Sequence, residues 1–238
     1  MIVLKRRNII IISVLVATLL TFVLCVGALY EKPIGNASVN KIKVVLDAGH
    51  GGIDAGVSGI ATGVKESELN LKVTQKLEKY LTSAGMSVVL TRSTNAGLYG
   101  VANSNLKRKD MEKRKEIIQK AEPHLVVSIH MNQFSMSTRR GAQVFYKEGD
   151  EKAELLANSV QDSFNSMEDS VRSCSALTGD YYILNCSNYP SIIAECGFLS
   201  NPQDEALLIS DEYQEDIAYA IFKGIVGYFA QSSFVFTD

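Results

Sequence analysis

The strongest constraint on the fold is a regular alternation of short apolar runs with longer amphipathic segments after about residue 40. Short apolar runs are typical of buried strands, and apolar residues at a helical repeat are typical of helices that cover a sheet. We predict strands over Lys43–Ala48, Met86–Thr91, Leu125–His130, Ala142–Tyr146, Tyr181–Leu184 and Ser191–Glu195. We predict helices over Glu66–Ser83, Leu106–Ala121, Glu151–Met167 and Glu212–Phe229. This order indicates an α/β fold, with a mostly parallel sheet between two layers of helices.

The first 30 residues have the pattern of an export signal. A basic run at positions 5–7 precedes an uninterrupted apolar stretch from Ile9 to Tyr30, about the length that crosses a bilayer as a helix. Basic residues on the near side predict that the chain from Glu31 onward lies outside the cytoplasm. The small residues at 26–28 fit a signal-peptide cleavage site, whereas the long apolar stretch favours an uncleaved anchor that would hold the protein at the membrane. Both outcomes stay open here.

The rest of the chain reads as one domain, without internal repeats or long linkers. We therefore expect a signal peptide or membrane anchor at 1–30, a linker at 31–41, a folded domain at 42–230 and a C-terminal tail at 231–238. The first 28 residues hold three of the 24 basic residues and none of the 26 acidic ones, so the remainder carries a formal charge of −5. Such an acidic chain excludes nucleic acid as the expected partner.

The cysteines predict neither a structural zinc cluster nor a disulfide framework. Three follow the apolar stretch, Cys174, Cys186 and Cys196, and none has CxxC spacing. A single bridge between Cys174 and Cys186 stays open.

The stretch DAGHGGIDAG, Asp47 to Gly56, follows the first predicted strand and looks at first like a phosphate-binding loop. A P-loop needs Gly-x4-Gly-Lys-Ser/Thr, and the dinucleotide fingerprint needs glycine where Asp54 stands, so both interpretations fail on spacing. What remains is His50 at the carboxyl end of a strand, between glycines that let the backbone approach a ligand closely. Taken alone, a loop histidine bonded to its neighbours is the simpler interpretation.

Glu66 stands at an unusual position for a carboxylate. In the helix that it opens, Leu69, Val73 and Leu77 fall on one apolar arc, and Glu66 lies in the middle of that arc. An acid near a helix N-terminus is favourable when exposed, but this does not explain an inward side chain. A buried carboxylate needs a cation, a set of hydrogen bonds or a metal.

Two further polar side chains close buried strands. His130 ends VVSIH and Glu195 ends SIIAE; alone, the first is a core-edge histidine and the second a partner in an internal salt bridge. Together with His50 they stand at the carboxyl ends of three strands, where open α/β sheets bind ligands. Two imidazoles and one carboxylate form a common catalytic zinc set, and a further glutamate then acts as the base. Spacing does not say which of Glu66 and Glu195 is the ligand.

The combined motifs resemble a known family, the zinc-dependent N-acetylmuramoyl-L-alanine amidases of the Amidase_3 type. The matching segments, in chain order, are VVLDAGHGGIDAGVSG, ESELNL, GMSVVLTR, Arg114, VVSIHMN, GAQVFY and AECGFLSN. The resemblance implies a twisted mixed sheet between helices and one zinc ion held by His50, Glu66 and His130. It implies that Glu195 is the catalytic acid and base. The nearby Asn70 and Asn132 are suggested as substrate-binding residues.

Within this family the chain is most similar to the spore-cortex, germination-specific amidases. LKRKDMEKR, the GAQ opening of the next strand and the lack of an appended wall-binding repeat point that way. The resemblance implies cleavage of the amide between N-acetylmuramic acid and L-alanine in peptidoglycan, on the way to muramic δ-lactam, with a muramic acid deacetylase acting afterwards. The implied location is the forespore intermembrane space, and an activating protein partner stays open.

Two alternatives stay open from sequence. One is another zinc hydrolase of peptidoglycan, such as a carboxypeptidase or a deacetylase, which the new end group of the product would identify. The other is a peptidoglycan-binding module without activity. Such a module should lack a ligand or the acid/base residue, whereas all four side chains are present.

Overall fold

The computed structural model describes residues 42–101, 104–171 and 173–235, and side chains up to residue 231. The predicted signal or anchor segment and the linker after it lie outside these residues. Within the described ranges, no helix combines the length and the apolar character needed to cross a membrane.

Six strands and six helices make up the described chain. The strands are β1 Lys43–Ala48, β2 Ser87–Leu90, β3 Leu125–Asn132, β4 Gln143–Tyr146, β5 Leu177–Thr178 and β6 Ser191–Phe198. The helices are α1 Glu66–Ser83, α2 Leu106–Ala121, α3 Glu151–Asn165, α4 Tyr182–Asn185, α5 Pro202–Leu208 and α6 Asp211–Val235.

The strands form one mixed sheet in the order β2-β1-β3-β6-β4-β5. Every neighbouring pair is parallel except β4 and β6, which run antiparallel. The predicted α/β class with a mostly parallel sheet is therefore confirmed, and the mixed character implied by the family resemblance is confirmed as well. Because β1, β3 and β6 are adjacent and parallel, their carboxyl ends meet at one edge of the sheet.

Helices cover both faces of this sheet. On one face, Val44 and Leu46 of β1 join a core formed with α1, α3 and α6. On the other face, Val45 packs with Ile118 of α2 and Leu184 of α4. Successive residues of a strand point to opposite faces, so β1 is buried on both sides. This double burial explains its uninterrupted apolar sequence.

The predicted strand Tyr181–Leu184 is wrong, because these residues open the short helix α4. Aromatic and branched side chains favour strands by composition, but here Leu184 N–H donates to the Tyr181 carbonyl and the turn buries Ile183 and Leu184 against α2. Packing between elements outweighs local preference. The strand on the far side of β4 is instead β5, which pairs with it in parallel.

Two helices near the C-terminus also differ from the prediction. Helix α5 was not predicted, although Asn201 caps it by accepting from the N–H groups of Gln203 and Asp204, and Pro202 opens its first turn. Asn at the N-cap followed by Pro at the first helical position is a known sequence signature of a helix N-terminus. Helix α6 continues to Val235, beyond the predicted helix end at Phe229.

Candidate active site

The edge where β1, β3 and β6 end brings the predicted site residues together. His50 follows β1 by two residues, and Glu66 is the first residue of α1. His130 of β3 lies opposite Glu195 in the parallel register with β6. Residues 145 positions apart along the chain therefore meet at one place.

The side chains of His50, Glu66 and His130 converge on one point. Glu66 Oε1 lies 2.9 Å from Nδ1 of His130 and 3.2 Å from Nε2 of His50, and one ligand atom from each residue lies within 4.8 Å of the others. Atoms that share one tetrahedral zinc at about 2.0–2.2 Å lie roughly 3.3 Å apart. The two nitrogens and the carboxylate therefore suit a zinc ion in donor type and in spacing.

The surrounding backbone fixes the Glu66 carboxylate in an ionised form. The side chain is buried, and its oxygens accept from Val57 N–H at 2.9 Å and from Met131 N–H at 3.2 Å. Burial alone raises the pKa of Glu66, but hydrogen bonds from His130 and His50 outweigh it and hold that pKa well below its usual value. A negative charge fixed between two imidazoles accounts for the inward position seen in the helical pattern.

Asn70 supports the site through hydrogen bonds to Glu66 and to the backbone of Gly49. It is fully buried, and its Nδ2 donates to Glu66 Oε1 at 3.2 Å and to the Gly49 carbonyl at 3.1 Å. With no exposed surface, this side chain holds Glu66 in place, and a role of Asn70 in substrate binding stays a prediction. Asn132 is half-buried near the end of β3, and its role in substrate binding stays a prediction.

Gly49 is required where the chain passes His130. A methyl group at this position would overlap the His130 imidazole. We expect Gly49→Ala to displace the ring and to weaken zinc binding by about tenfold or more, because overpacking of this kind costs roughly 1–3 kcal/mol. Titration with zinc would measure the change. Gly149→Ala, in the loop between β4 and α3, is the control for general destabilisation: its φ of 78° strains an alanine, but the added methyl meets nothing within 4 Å. Equal loss of zinc affinity in both variants would contradict the prediction.

Glu195 lies beside the converging group and is not bonded to it. Its Oε2 is buried and has no hydrogen-bond partner among the described residues. Burial raises the pKa of Glu195 to about 7, although nearby His130 opposes the shift. A carboxyl group with a pKa near neutrality can accept a proton and return it within one catalytic cycle.

A cleft of about 170 Å³ opens next to these residues. His50 and His130 form one part of its lining, and Lys107, Tyr181 and Tyr182 from the α2 and α4 region form another. The sequence did not single out these last three, because no local pattern shows that α4 closes the cleft. A larger cavity of about 510 Å³ lies between the end of α3 and α6, and it contains no histidine.

Two buried arginines clamp the backbone that presents His50. Arg92 donates to the carbonyls of Ala48 and Gly49, each at 2.8 Å, and Arg114 donates to the carbonyl of His50 at 2.6 Å. These bonds hold His50 in a left-handed backbone conformation, with φ of 61°, which non-glycine residues rarely adopt. The sequence analysis names Arg114, and Arg92 as the last residue of GMSVVLTR, only as parts of the family motifs and predicts no role for either.

Asp47 anchors this clamp through three partners. It accepts from the Arg114 guanidinium, from Thr91 Oγ1 at 2.7 Å and from Ser128 Oγ at 2.6 Å. Burial alone raises the pKa of Asp47, but Arg114 and the two hydroxyl groups outweigh it and lower that pKa below its usual value. Asp47 therefore joins β1, β3 and α2.

Acid should weaken the fold through Asp47. Its pKa is lower in the folded than in the unfolded chain, so its stabilisation is complete above the unfolded value of about 3.9 and is lost as the pH falls through the folded value. We expect Asp47→Asn to lower the free energy of unfolding at pH 7 by about 1–3 kcal/mol, since it removes one of the two carboxylates that pair with the buried Arg114 and leaves only Asp110. We also expect this difference to shrink below about pH 4. Urea unfolding at several pH values measures it.

The exposed Glu168 provides the matched control for that experiment. Glu168→Gln should leave the unfolding curves unchanged at each pH. A difference between wild type and Asp47→Asn that persists undiminished at low pH would show that the charge of Asp47 is not responsible.

The fold and the site together define a class. An α/β sheet that carries two histidines and a carboxylate at its strand ends, with a separate glutamate of raised pKa, is typical of metal-dependent hydrolases. The particular family is also clear: the Amidase_3 profile of N-acetylmuramoyl-L-alanine amidases matches residues 44–226, and the chain belongs to this family.

Individual relatives agree with this assignment. The chain is 33% identical over 192 residues to the germination-specific N-acetylmuramoyl-L-alanine amidase of Bacillus subtilis (strain 168), covering 79% of this chain and 80% of the relative. It is similar in structure to the CwlD amidase of Clostridioides difficile, solved in complex with the GerS lipoprotein. The TM-score is 0.77 at 35% identity, over 80% of this chain and 99% of that one. The resemblance noted from the motifs is confirmed, and the protein is an amidase that acts on peptidoglycan.

Proposed function

We propose that this amidase holds one zinc ion with His50, Glu66 and His130 and moves protons with Glu195. The observation that carries the proposal is the convergence of the three ligand atoms within 4.8 Å. Bound zinc would supply a Lewis acid that polarises the amide carbonyl and acidifies a water molecule. Zinc fits this site better than magnesium or calcium, because those ions prefer oxygen ligands and two of the three ligands here are imidazoles.

The residues of the chain then divide the reaction between them. Glu195 accepts a proton from the attacking water as its oxygen bonds to the lactyl carbonyl carbon of N-acetylmuramic acid. When the carbon–nitrogen bond breaks, Glu195 gives that proton to the departing amine of L-alanine. The raised pKa of Glu195 suits both steps near neutral pH. Glu66 and Asn70 keep the ligand group rigid, so little reorganisation is needed during the reaction.

The reaction products distinguish this proposal from two rival activities, those of a carboxypeptidase and of a deacetylase. Incubation of the zinc-loaded protein with peptidoglycan should release peptides with a free L-alanine amino group and leave the glycan with a free lactyl carboxylate. A carboxypeptidase would release free amino acids, and a deacetylase would release acetate. Either of these products in place of a new L-alanine terminus would contradict the proposed reaction.

We propose that the substrate is spore-cortex peptidoglycan and that the role is in germination. The support is similarity to the relative named as germination-specific and to the CwlD amidase. In this role, a muramic acid deacetylase would act on the stripped muramic acid, and ring closure would give muramic δ-lactam. Expression of this chain in a Bacillus subtilis strain that lacks its germination-specific amidase should restore δ-lactam to the cortex. Active protein in such spores without any δ-lactam would contradict the cortex role.

We further propose an exported enzyme with an activating protein partner. The apolar stretch from Ile9 to Tyr30 is the sequence support for export, to the forespore intermembrane space in a sporulating cell. The support for a partner is that the similar CwlD structure contains the GerS lipoprotein. Fractionation of cells that make the full chain would show whether it stays with the membrane or is released. The specific activity of purified protein, measured with and without a co-purified lipoprotein, tests whether a partner activates the enzyme.

A further inference from the structure

The two histidines of the proposed metal site are supported differently. His50 turns Nε2 towards Glu66 and Nδ1 towards Asp54, whose Oδ1 lies 3.0 Å away. His130 turns Nδ1 towards Glu66. Within the part of the chain that the structure describes, no carboxylate lies within 4 Å of Nε2 of His130. Among the described residues, a carboxylate therefore faces the ring nitrogen of His50 that points away from the proposed metal, and none does so at His130.

The loop around Asp54 holds its carboxylate firmly against His50. Asp54 and Gly51 exchange two backbone hydrogen bonds, at 2.8 and 3.2 Å, which close a tight turn. Asp54 Oδ1 also accepts from Gly56 N–H at 3.2 Å, while Oδ2 lies 3.7 Å from the ammonium group of Lys107. The carboxylate is therefore fixed on one side by the backbone, and its outer oxygen has a cation nearby.

The geometry points to Asp54 as a positioning residue for the metal ligand His50. When a metal takes the place of the Nε2–H contact with Glu66, the remaining ring proton of His50 lies on Nδ1 and is donated to Asp54. The lone pair of Nε2 would then bind the metal between Glu66 and His130. Asp54 also sets the angle of the ring, since the imidazole can otherwise rotate about its side-chain bonds. The inference rests on the proposed zinc site and adds a residue that acts through His50.

Zinc affinity and the exchange of the Nδ1 proton of His50 test this role in the full-length chain. Loss of a carboxylate behind a ligating histidine typically costs about 10–100-fold in metal affinity. We expect a loss in that range for Asp54→Ala. Asp54→Asn should lose less, because its amide oxygen can accept the hydrogen bond without the charge. Nitrogen-15 NMR of the zinc-loaded protein should show an Nδ1 proton of His50 that is protected from exchange with water in the wild type and exchanges rapidly in Asp54→Ala, which a purely structural role would not produce.

Lys107→Gln is the matched control, because it removes the outer cation and leaves the Asp54–His50 hydrogen bond in place. Its zinc affinity should stay within about twofold of the wild type. Zinc affinity within twofold of wild type in both Asp54 variants would overturn the inference. So would an Nδ1 proton of His50 that stays equally protected from exchange in Asp54→Ala. Wild-type zinc binding that His50→Ala does not weaken would instead overturn the proposed metal site, and the role of Asp54 with it.

Discussion

Replacement of Glu195 by glutamine is expected to lower kcat by about 10²–10⁴-fold while the protein keeps its zinc. Glutamine has almost the same shape but neither accepts nor returns a proton at neutral pH. The Oε2 atom of Glu195 is buried without a hydrogen-bond partner among the described residues, so the substitution breaks no internal bond of that atom. Initial rates of L-alanine terminus formation, together with zinc content by elemental analysis, separate the catalytic effect from loss of metal.

Cys196 offers the matched control for Glu195. It is the next residue of β6 and points into the opposite, fully buried core, where burial raises the pKa of its thiol well above the usual value. A neutral buried thiol is a poor nucleophile. Cys196→Ala should therefore keep kcat within a few fold of the wild type. Full activity in Glu195→Gln would show that another group transfers the proton, and loss of zinc in that variant would make Glu195 a ligand.

Alanine at His50, Glu66 or His130 is expected to weaken zinc binding by about 10²–10³-fold in each case. Binding free energies of about 10–16 kcal/mol for four-ligand zinc sites assign roughly 3–4 kcal/mol to each ligand. The structure gives each of the three side chains an atom in the same ligand group, so no one of them is dispensable. Competition with a chelating dye measures the affinities, and activity should fall in parallel.

Asn132→Ala is the control for the ligand series, since Asn132 lies two residues beyond His130 on the same strand. It should keep its zinc, and as a residue expected to bind substrate it should raise KM. A ligand variant that holds zinc as tightly as the wild type would remove that residue from the metal site. Removal of zinc from the wild type by a chelator, followed by recovery of activity on adding zinc back, would show that metal loss accounts for the inactive variants.

Local sequence patterns were sufficient for most elements of the fold. The helix at Glu66–Ser83 and the strand at Lys43–Ala48 have the predicted ends, because the helix has a clear apolar period and the strand is a short continuous apolar run. The strand predicted at Tyr181–Leu184 is wrong, since its strand-like composition is outweighed by burial of Ile183 and Leu184 against α2. Short segments have too few local contacts to determine their own conformation.

The sequence by itself determined which side chains stand at the ends of the apolar strands, and so where His50, His130 and Glu195 would be presented. It also placed Glu66 on the buried face of its helix. These statements follow from the periods of strands and helices, which local residues set.

Only the tertiary structure decided how those side chains are held. The bonds from Arg92 and Arg114 to the backbone around His50 join residues 43 to 66 positions apart, and the burial of Asn70 under Glu66 depends on how α1 packs on β1 and β3. Which nitrogen of His50 faces the ligand group likewise depends on Asp54 and on the clamped backbone. A polar side chain bonds to whichever partner the order of the sheet brings near, and this order is a property of the whole packed chain and not of any local pattern.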